Sequence, residues 1–536
     1  MTTVKDWAQP YASQRSPVLG RNVVSTSQPL AAQAGLRMLQ AGGNAVDAAL
    51  AAAMTLTVVE PTGCGIGSDA FAIVWDGQEL HGLNASGRAP AGWTPEYFDK
   101  LGGIPEKGWN AVTVPGAVSG WVELSKRFGK LPFAQVAQPA INYARHGFAV
   151  SPTIAKLWAL GLAKLGDQPG FKECFAPEGQ APQAGSWFQS EAHARTLEEI
   201  AETLGESFYR GALAQKMAAH SQANGGVMTA EDLAAHRCDW VGTVAQPFGE
   251  SVVHEIPPNG QGIAALIALG ILEQLPYRDT APGSAARMHL EIEAMRLAFA
   301  DLYAHIADPA HMEVTAAQLL APAYLQRRAA LIDPQRAGSY PPGQPSSGGT
   351  VYLCAADAQG RMVSFIQSNF KGFGSGVVVP GTGIALHNRG MGFVTTPGHP
   401  NQVAGGKRPM HSIIPAFMLR NGQPHMAFGV MGGNMQAQGH LQMSLREAVE
   451  GLNPQACSDA PRWRINDVGA LTLEHTVPAA VVEGLRALGH APEIAPPNSL
   501  DFGSAQLIRK LDTAPGEPSA YVAGSDHRRD GLAVGF

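Results

Sequence analysis

Two runs of β-branched and aromatic residues face each other across a short turn. The first is Thr350-Val351-Tyr352-Leu353-Cys354-Ala355-Ala356-Asp357. The second is Met362-Val363-Ser364-Phe365-Ile366-Gln367-Ser368-Asn369-Phe370, with Ala358-Gln359-Gly360 between them. Strand formers joined by so short a turn predict a hairpin. Upstream, Val23-Val24-Ser25-Thr26 predicts a strand, and Ser27-Gln28-Pro29 offers a cap and a first-turn proline for a helix from Pro29 to Ala41, stopped by Gly42-Gly43. Asn44 then caps a second helix, Ala45–Val59, ended by Glu60-Pro61. Its small residues suit it to lie close on a sheet. Phe71–Asp76 and the run from Leu80 predict a strand pair turned at Gly77. Positions 93 to 345 read as helices and loops, with Ala117–Arg127, Pro139–Ala144, Leu197–Leu204, Leu213–Gln222, Ile263–Glu273 and His289–Leu302 as the helices and a strand end at Glu255-Ile256 before the Pro257–Gly262 loop. After the hairpin come strands at Ile384, Ile413–Leu419 and His425–Val430, a helix Met435–Leu452 opened by Gly432-Gly433, and two C-terminal strands. The pattern is one of helices first, then antiparallel hairpins starting at Thr350.

Composition narrows the class. The chain has 536 residues, 45% hydrophobic and 15% charged, the balance of a globular protein with a large core. A net charge of −6 gives no support for nucleic-acid or anionic-membrane binding. No run of 18 apolar residues occurs, and the segment from Met1 to Pro10 lacks the apolar stretch of a secretory signal, so the expected location is the cytoplasm. The cysteines Cys64, Cys174, Cys238, Cys354 and Cys457 are odd in number and widely spaced, which suits reduced thiols. The histidines show no paired-ligand spacing, so neither a metal nor another cofactor is expected. Gly63, Gly65 and Gly67 are spaced like a phosphate loop but precede a strand instead of opening a helix, and that reading fails.

The candidate chemistry lies at the start of the hairpin. Residues 341–349 are rich in proline, glycine and serine, and Thr350 follows two glycines at the first position of its strand. Cleavage before Thr350 would give it a hydroxyl nucleophile and an α-amine together. An α-amine titrates at about 7.7–8.0, so a useful fraction accepts protons near neutral pH. This is the N-terminal-threonine form of an activated nucleophile.

Several further motifs lie in a fixed order along the chain: Gly42-Gly43-Asn44-Ala45-Val46-Asp47-Ala48-Ala49, Val58-Val59-Glu60-Pro61, Val114-Pro115-Gly116, Pro257-Pro258-Asn259-Gly260-Gln261-Gly262, the Thr350 hairpin, Lys407-Arg408-Pro409, Gly432-Gly433 and Gly524-Ser525-Asp526. Together they resemble the γ-glutamyltransferase (glutathione hydrolase) family of N-terminal-nucleophile hydrolases over nearly the whole length. The resemblance implies an α+β fold, a four-layer αββα sandwich, and a precursor that cuts itself between Gly349 and Thr350. Residues 1–349 would form a large chain and 350–536 a small one, the two remaining associated in one domain, with a homodimer allowed. It implies that Thr350 is the nucleophile, that Ser368 supports it, and that the Gly432 and Gly433 N–H groups form the oxyanion hole. The last fits the positive end of a helix start.

Departures from the family pattern bear on specificity. The aspartate that grips a substrate ammonium in typical members falls on Gly392 here, and the usual serine pair is His411-Ser412. Arg88 sits two positions from the family's carboxylate-binding arginine, a shift that keeps the same face of a strand. The segments around Ser364–Asn369, Gly374–Gly383 and Met431–Gln436 resemble the branch that includes cephalosporin-acylase-like proteins and oxamate amidohydrolase. The implied substrate is a small amide with a carboxylate, held by Arg88 with Arg389 or His411, and hydrolysed through a threonyl acyl-enzyme. A true γ-glutamyltransferase with Asn388 or Ser412 as its ammonium clamp is the alternative. A non-catalytic relic is disfavoured by the retained Gly-Gly-Thr junction.

Overall fold

The computed structural model describes residues 7, 13–338, 340, 349–466 and 468–536. The linker reading for 341–348 lies outside them. Helix Ala45–Val59 is buried along its whole length, as a segment without a polar face requires. Asn44 accepts the Val46 and Asp47 N–H groups, and the Asp47 carboxylate accepts the Asn44 N–H. Such a reciprocal cap stabilises by about 1 kcal/mol. The preceding helix, Pro29–Gln40, is capped by the Gln28 side chain. The two helices approach so closely that a Cβ on Gly35 would stand 2.8 Å from the Ala48 carbonyl oxygen.

Among the described residues, two seven-stranded antiparallel sheets form the centre. The first runs Leu532–Gly535, Val23–Thr26, Gly349–Ala356, Met362–Phe370, Asp69–Trp75, Leu80–Ala85, Asp239–Trp240. The second runs Val18–Gly20, Tyr521–Ser525, Ser504–Lys510, Gln423–Met431, Ala416–Arg420, Ser251–Glu255, Val244–Phe248. They meet where a Cβ on Gly429 would lie 2.3 Å from the Tyr352 ring and where Ser364 Oγ donates to the Phe428 carbonyl at 3.3 Å. One apolar cluster joins the first sheet to helices Pro29–Gln40, Ala45–Val59, Ala117–Phe128 and Phe133–His146. Another joins the second sheet to Gly262–Glu273, Ala285–His305 and Met435–Ala448.

The predicted hairpin is present, and its strands are third and fourth of seven. The expected order of helices followed by hairpins is corrected. Strands from the first half of the chain pair directly with strands from the second in both sheets, and the expected helical and loop region contains the hairpin Val244–Phe248/Ser251–Glu255, of which the strand end at Glu255 was expected and the rest was not. No helix among the described residues is long and apolar enough to cross a membrane, and all five cysteines are free.

Candidate active site

A register break in the central hairpin sets the position of Thr350. Gly349 pairs with Phe370 and Val351 with Gln367, so Ser368 and Asn369 together oppose Thr350. Such a bulge re-aims side chains and strengthens local twist. Phe370, beside it, has φ 74°, a left-handed conformation that few non-glycine residues adopt. Gly63 explains how the strand is received from below: a Cβ there would lie 2.9 Å from Val351 Cγ1 and 3.2 Å from the Thr350 carbonyl oxygen. The glycines whose spacing resembles a phosphate loop, a reading already rejected, are thus points of close backbone approach.

Thr350 is 2% exposed. Its Oγ1 donates to Ser368 Oγ at 3.3 Å and accepts from Gln436 Nε2 at 3.2 Å. Ser368 Oγ also accepts the Phe370 N–H at 2.7 Å. The Gln436 carbonyl oxygen accepts the Ile414 N–H at 3.0 Å, which fixes which end of the amide faces the threonine. Gln436 was present in a quoted motif, but its sequence gave no sign of a role. It acts from the first turn of helix Met435–Ala448.

Gly432 and Gly433 connect strand Gln423–Met431 to that helix with φ of 123° and 62°. Two successive positive φ values explain why both positions are glycine. Their carbonyls accept the Met435 and Gln436 N–H groups, while among the described residues neither glycine N–H has a partner. Two unspent N–H groups at a helix start are suited to hold a developing oxyanion.

The remaining candidates separate into different roles. Arg389 is completely buried, its Nη1 donating to Ser412 Oγ at 2.9 Å and its Cζ lying 4.2 Å from the Phe370 ring centroid. Burial pulls its pKa down to about 9, with Asp69 pulling the other way, so it is a cation at neutral pH. Gln261 donates both to the Ser412 carbonyl and, at 2.8 Å, to the Gly433 carbonyl. A closed circuit results: Thr350, Gln436, Gly433, Gln261, Ser412, Arg389, Phe370, Ser368 and back to Thr350. Asn388 is spent on the loop, accepting the Lys371 N–H at 3.1 Å and donating to the Glu106 carbonyl at 3.0 Å.

Two readings from sequence need correction. The strand that was to carry Arg88 ends at Ala85, so the two-residue phase argument does not apply. Arg88 is about half exposed, and its guanidinium is engaged by Asp308 at 3.0 Å and the Gly406 carbonyl at 3.1 Å. His411, proposed as a carboxylate holder, points into the core. Its Nε2 donates to Asp69 Oδ2 at 3.0 Å and its Nδ1 accepts the Ile413 N–H at 3.4 Å. Burial, aided by the Arg389 charge, pushes its pKa down to about 3, so the ring is neutral with no N–H left for a ligand.

Asp69, opposite Ser368 in the neighbouring strand, was missed. It is buried and accepts the Gly87 and Gly116 N–H groups as well as His411, with His387 Nε2 3.5 Å away. Burial opposes its charge, yet the two imidazoles hold its pKa well below the ordinary carboxylate range. Only the folded sheet brings these residues together, from positions 69, 87, 116, 387 and 411.

The family model described as Gamma-glutamyltranspeptidase matches residues 31–536. A glutathione hydrolase-like YwrD proenzyme of Bacillus subtilis is 34% identical over 97% of this chain and 100% of its own. An oxamate amidohydrolase proenzyme of Klebsiella pneumoniae is 36% identical over 95% and 97%. The crystal structure of a cephalosporin acylase from Bacillus halodurans is 44% identical, with a TM-score of 0.95, covering 100% of this chain and 99% of that one.

Proposed function

Because the chain belongs to the gamma-glutamyltranspeptidase family, we propose that it is a self-processing amide hydrolase that works through a threonyl acyl-enzyme on an αββα scaffold, in the cytoplasm. The observation that carries this is the setting of Thr350. A buried hydroxyl at the first residues of a central strand is held between Ser368 and Gln436, in the same circuit as the Gly432-Gly433 turn.

Processing requires that Thr350 Oγ attack the Gly349 carbonyl carbon. The C–O bond forms, the C–N bond breaks, and the hydroxyl proton ends on the departing nitrogen. Ser368 Oγ accepts the hydroxyl's hydrogen bond and orients it for that attack. Water then hydrolyses the ester, leaving the Gly349 carboxylate on the large chain and a free α-amine on Thr350. In turnover that amine takes the Oγ proton as Oγ attacks the substrate carbonyl, and the Gly432 and Gly433 N–H groups stabilise the oxyanion. The amine product leaves, and water releases the acid.

The transferase alternative requires a home for a substrate ammonium. Position 392 is glycine, Asn388 is spent on the loop, and Ser412 Oγ is hydrogen-bonded to a buried cation. An ammonium there would be desolvated beside Arg389, which costs energy without return. Hydrolysis of an acyl group without an α-amine is therefore the better reading.

The test is processing. Wild-type protein should run under denaturing conditions as pieces corresponding to residues 1–349 and 350–536, and Thr350→Ala as one chain. An activated ester should give a burst and label Thr350 in the small piece. Efficient cleavage in Thr350→Ala, or a label on Cys354, would overturn the proposal.

A further inference from the structure

The structure assigns Gln436 a catalytic role. Its Nε2–H donates to Thr350 Oγ while that oxygen leaves the acyl group, so it serves release of the acid more than capture of the substrate. This inference rests on the threonine reading above.

Helix Met435–Ala448 carries three buried glutamines at positions 436, 438 and 442. Gln438 closes both ends of its amide on the backbone of Ile465, at 3.1 and 2.7 Å, and Gln442 does so on Trp463, at 3.0 and 3.4 Å. Gln436 breaks the pattern. Its Oε1 accepts the Ile414 N–H at 3.0 Å, but among the described residues the hydrogen bond from its Nε2 goes to Thr350 Oγ1, at 3.2 Å. The Ile414 contact excludes the flipped amide, which would set two N–H groups against each other. The side chain is therefore a donor to the nucleophile and cannot be its base. The backbone N–H of the same residue donates to the Gly433 carbonyl at 3.1 Å. Gln436 thus holds the nucleophile and the oxyanion turn in one frame.

In the acyl-enzyme, Oγ is an ester oxygen, without a proton and a weak acceptor. Water adds to the ester carbon and passes a proton to the Thr350 α-amine. The resulting oxyanion re-forms the C=O bond, and the C–Oγ bond breaks. The electron pair goes to Oγ, which takes a proton from the α-ammonium, and the acid departs. While Oγ holds that pair, the Gln436 N–H is aimed at it. The free threonine already has this hydrogen bond, so attack on a substrate gains only its strengthening. Release starts from an ester that hardly has the bond and gains nearly all of it. An interaction speeds a step only by being stronger in its transition state than in the state before it.

The experiment mixes processed Gln436→Met, which keeps the bulk without the donor, with p-nitrophenyl acetate. The burst reports acylation of Thr350, and the steady phase reports release. The steady rate should fall about 10-fold or more and the burst rate by no more than about 3-fold, so that the acetylated small piece persists. Gln436→Glu keeps the size and the Ile414 bond. At alkaline pH, with its carboxyl ionised, it offers Oγ no proton and should release as slowly. Equal slowing of both phases, as a merely structural loss would give, or wild-type release in Gln436→Met, overturns the assignment. Processing contains the same departure, because the Gly349 ester on Oγ is itself an acyl-enzyme. A variant that stays uncut should therefore hold that ester, which hydroxylamine splits into pieces 1–349 and 350–536. An uncut chain that resists hydroxylamine overturns the assignment too. Mass labelling keeps the two readings apart. Acetyl on Thr350 with unaltered release sinks the Gln436 role alone, whereas acetyl on another residue sinks the threonine reading beneath it.

Discussion

A Cβ on Gly392 would stand 2.5 Å from the Met410 carbonyl oxygen and 3.0 Å from Pro409 Cβ. Backbone cannot move aside as a flexible side chain can, so Gly392→Asp should overpack the loop. The expected cost is about 1–3 kcal/mol, read as a lower Tm, with no gain in the ratio of γ-glutamyl to glutaryl hydrolysis. A stable variant that acquires a γ-glutamyl preference would show that the loop yields and that the carboxylate alone is missing. The absence of an aspartate at this position is legible in the sequence, but the reason it cannot simply be restored is not, because Met410 approaches only in the folded loop. Arg88 and Arg389 teach the same lesson. As letters they are equal candidates for a carboxylate, and burial and partners distinguish them. Gly432 and Gly433 were singled out through the family resemblance, and what the fold adds is that both take positive φ, which is why the turn needs glycine at each.

At the scale of elements, the clearest tie is a buried ion pair between the loop after helix Pro454–Asp459 and the end of strand Tyr521–Ser525. Arg462 Nη2 lies 2.6 Å from Asp526 Oδ2, both side chains fully buried, and Asp526 also accepts the Ala505 and Arg528 N–H groups. Burial pushes the Asp526 carboxyl up, but Arg462 and Arg528 hold it well below its ordinary value. With the folded pKa depressed, the stabilisation is present above the unfolded pKa of about 3.9 and is lost as pH falls below it. Asp526→Asn should therefore cost about 3–5 kcal/mol at neutral pH, by stranding Arg462, and should lessen the loss of stability on acidification. Denaturant melts at pH 7 and at pH 3, below the unfolded pKa, check both statements; a variant as stable as wild type at pH 7 would contradict them. Elements with strong local pattern, such as the central hairpin and Ala45–Val59, were readable in advance. Val244–Phe248 was not: it is a sheet-edge strand containing Pro247, tolerable only at an edge. Ser504–Lys510 was not either, since its polar Gln506 is inside, accepting from Ser25 Oγ at 3.0 Å across 481 positions.

At the scale of the whole molecule, the strand order decides what a cut before Thr350 does. Val23–Thr26 lies between Leu532–Gly535 and Gly349–Ala356, so a strand from before the cut is held on both sides by strands of the second half. Asp69–Trp75 pairs along its full length with Met362–Phe370, and Ser251–Glu255 with Ala416–Arg420. The region leading to the linker is pinned as well: the Ala337 N–H donates to the Leu488 carbonyl at 2.7 Å, and His289, whose Nε2 holds the Asp333 carbonyl, shares a 2.7 Å hydrogen bond with His490. Separating the two pieces would strip hydrogen bonds from both sheets and expose the apolar clusters, which is the same event as unfolding. The processed protein should therefore elute in native buffer with both pieces together, and unfold in one transition detected alike by far-UV circular dichroism and tryptophan fluorescence. Its denaturation midpoint should lie close to that of uncut Thr350→Ala, because the severed bond lies at the end of its strand, where Gly349–Phe370 is the last pair. Pieces that part without denaturant, or two separated transitions, would mean that the interleaved sheets do not hold the halves together.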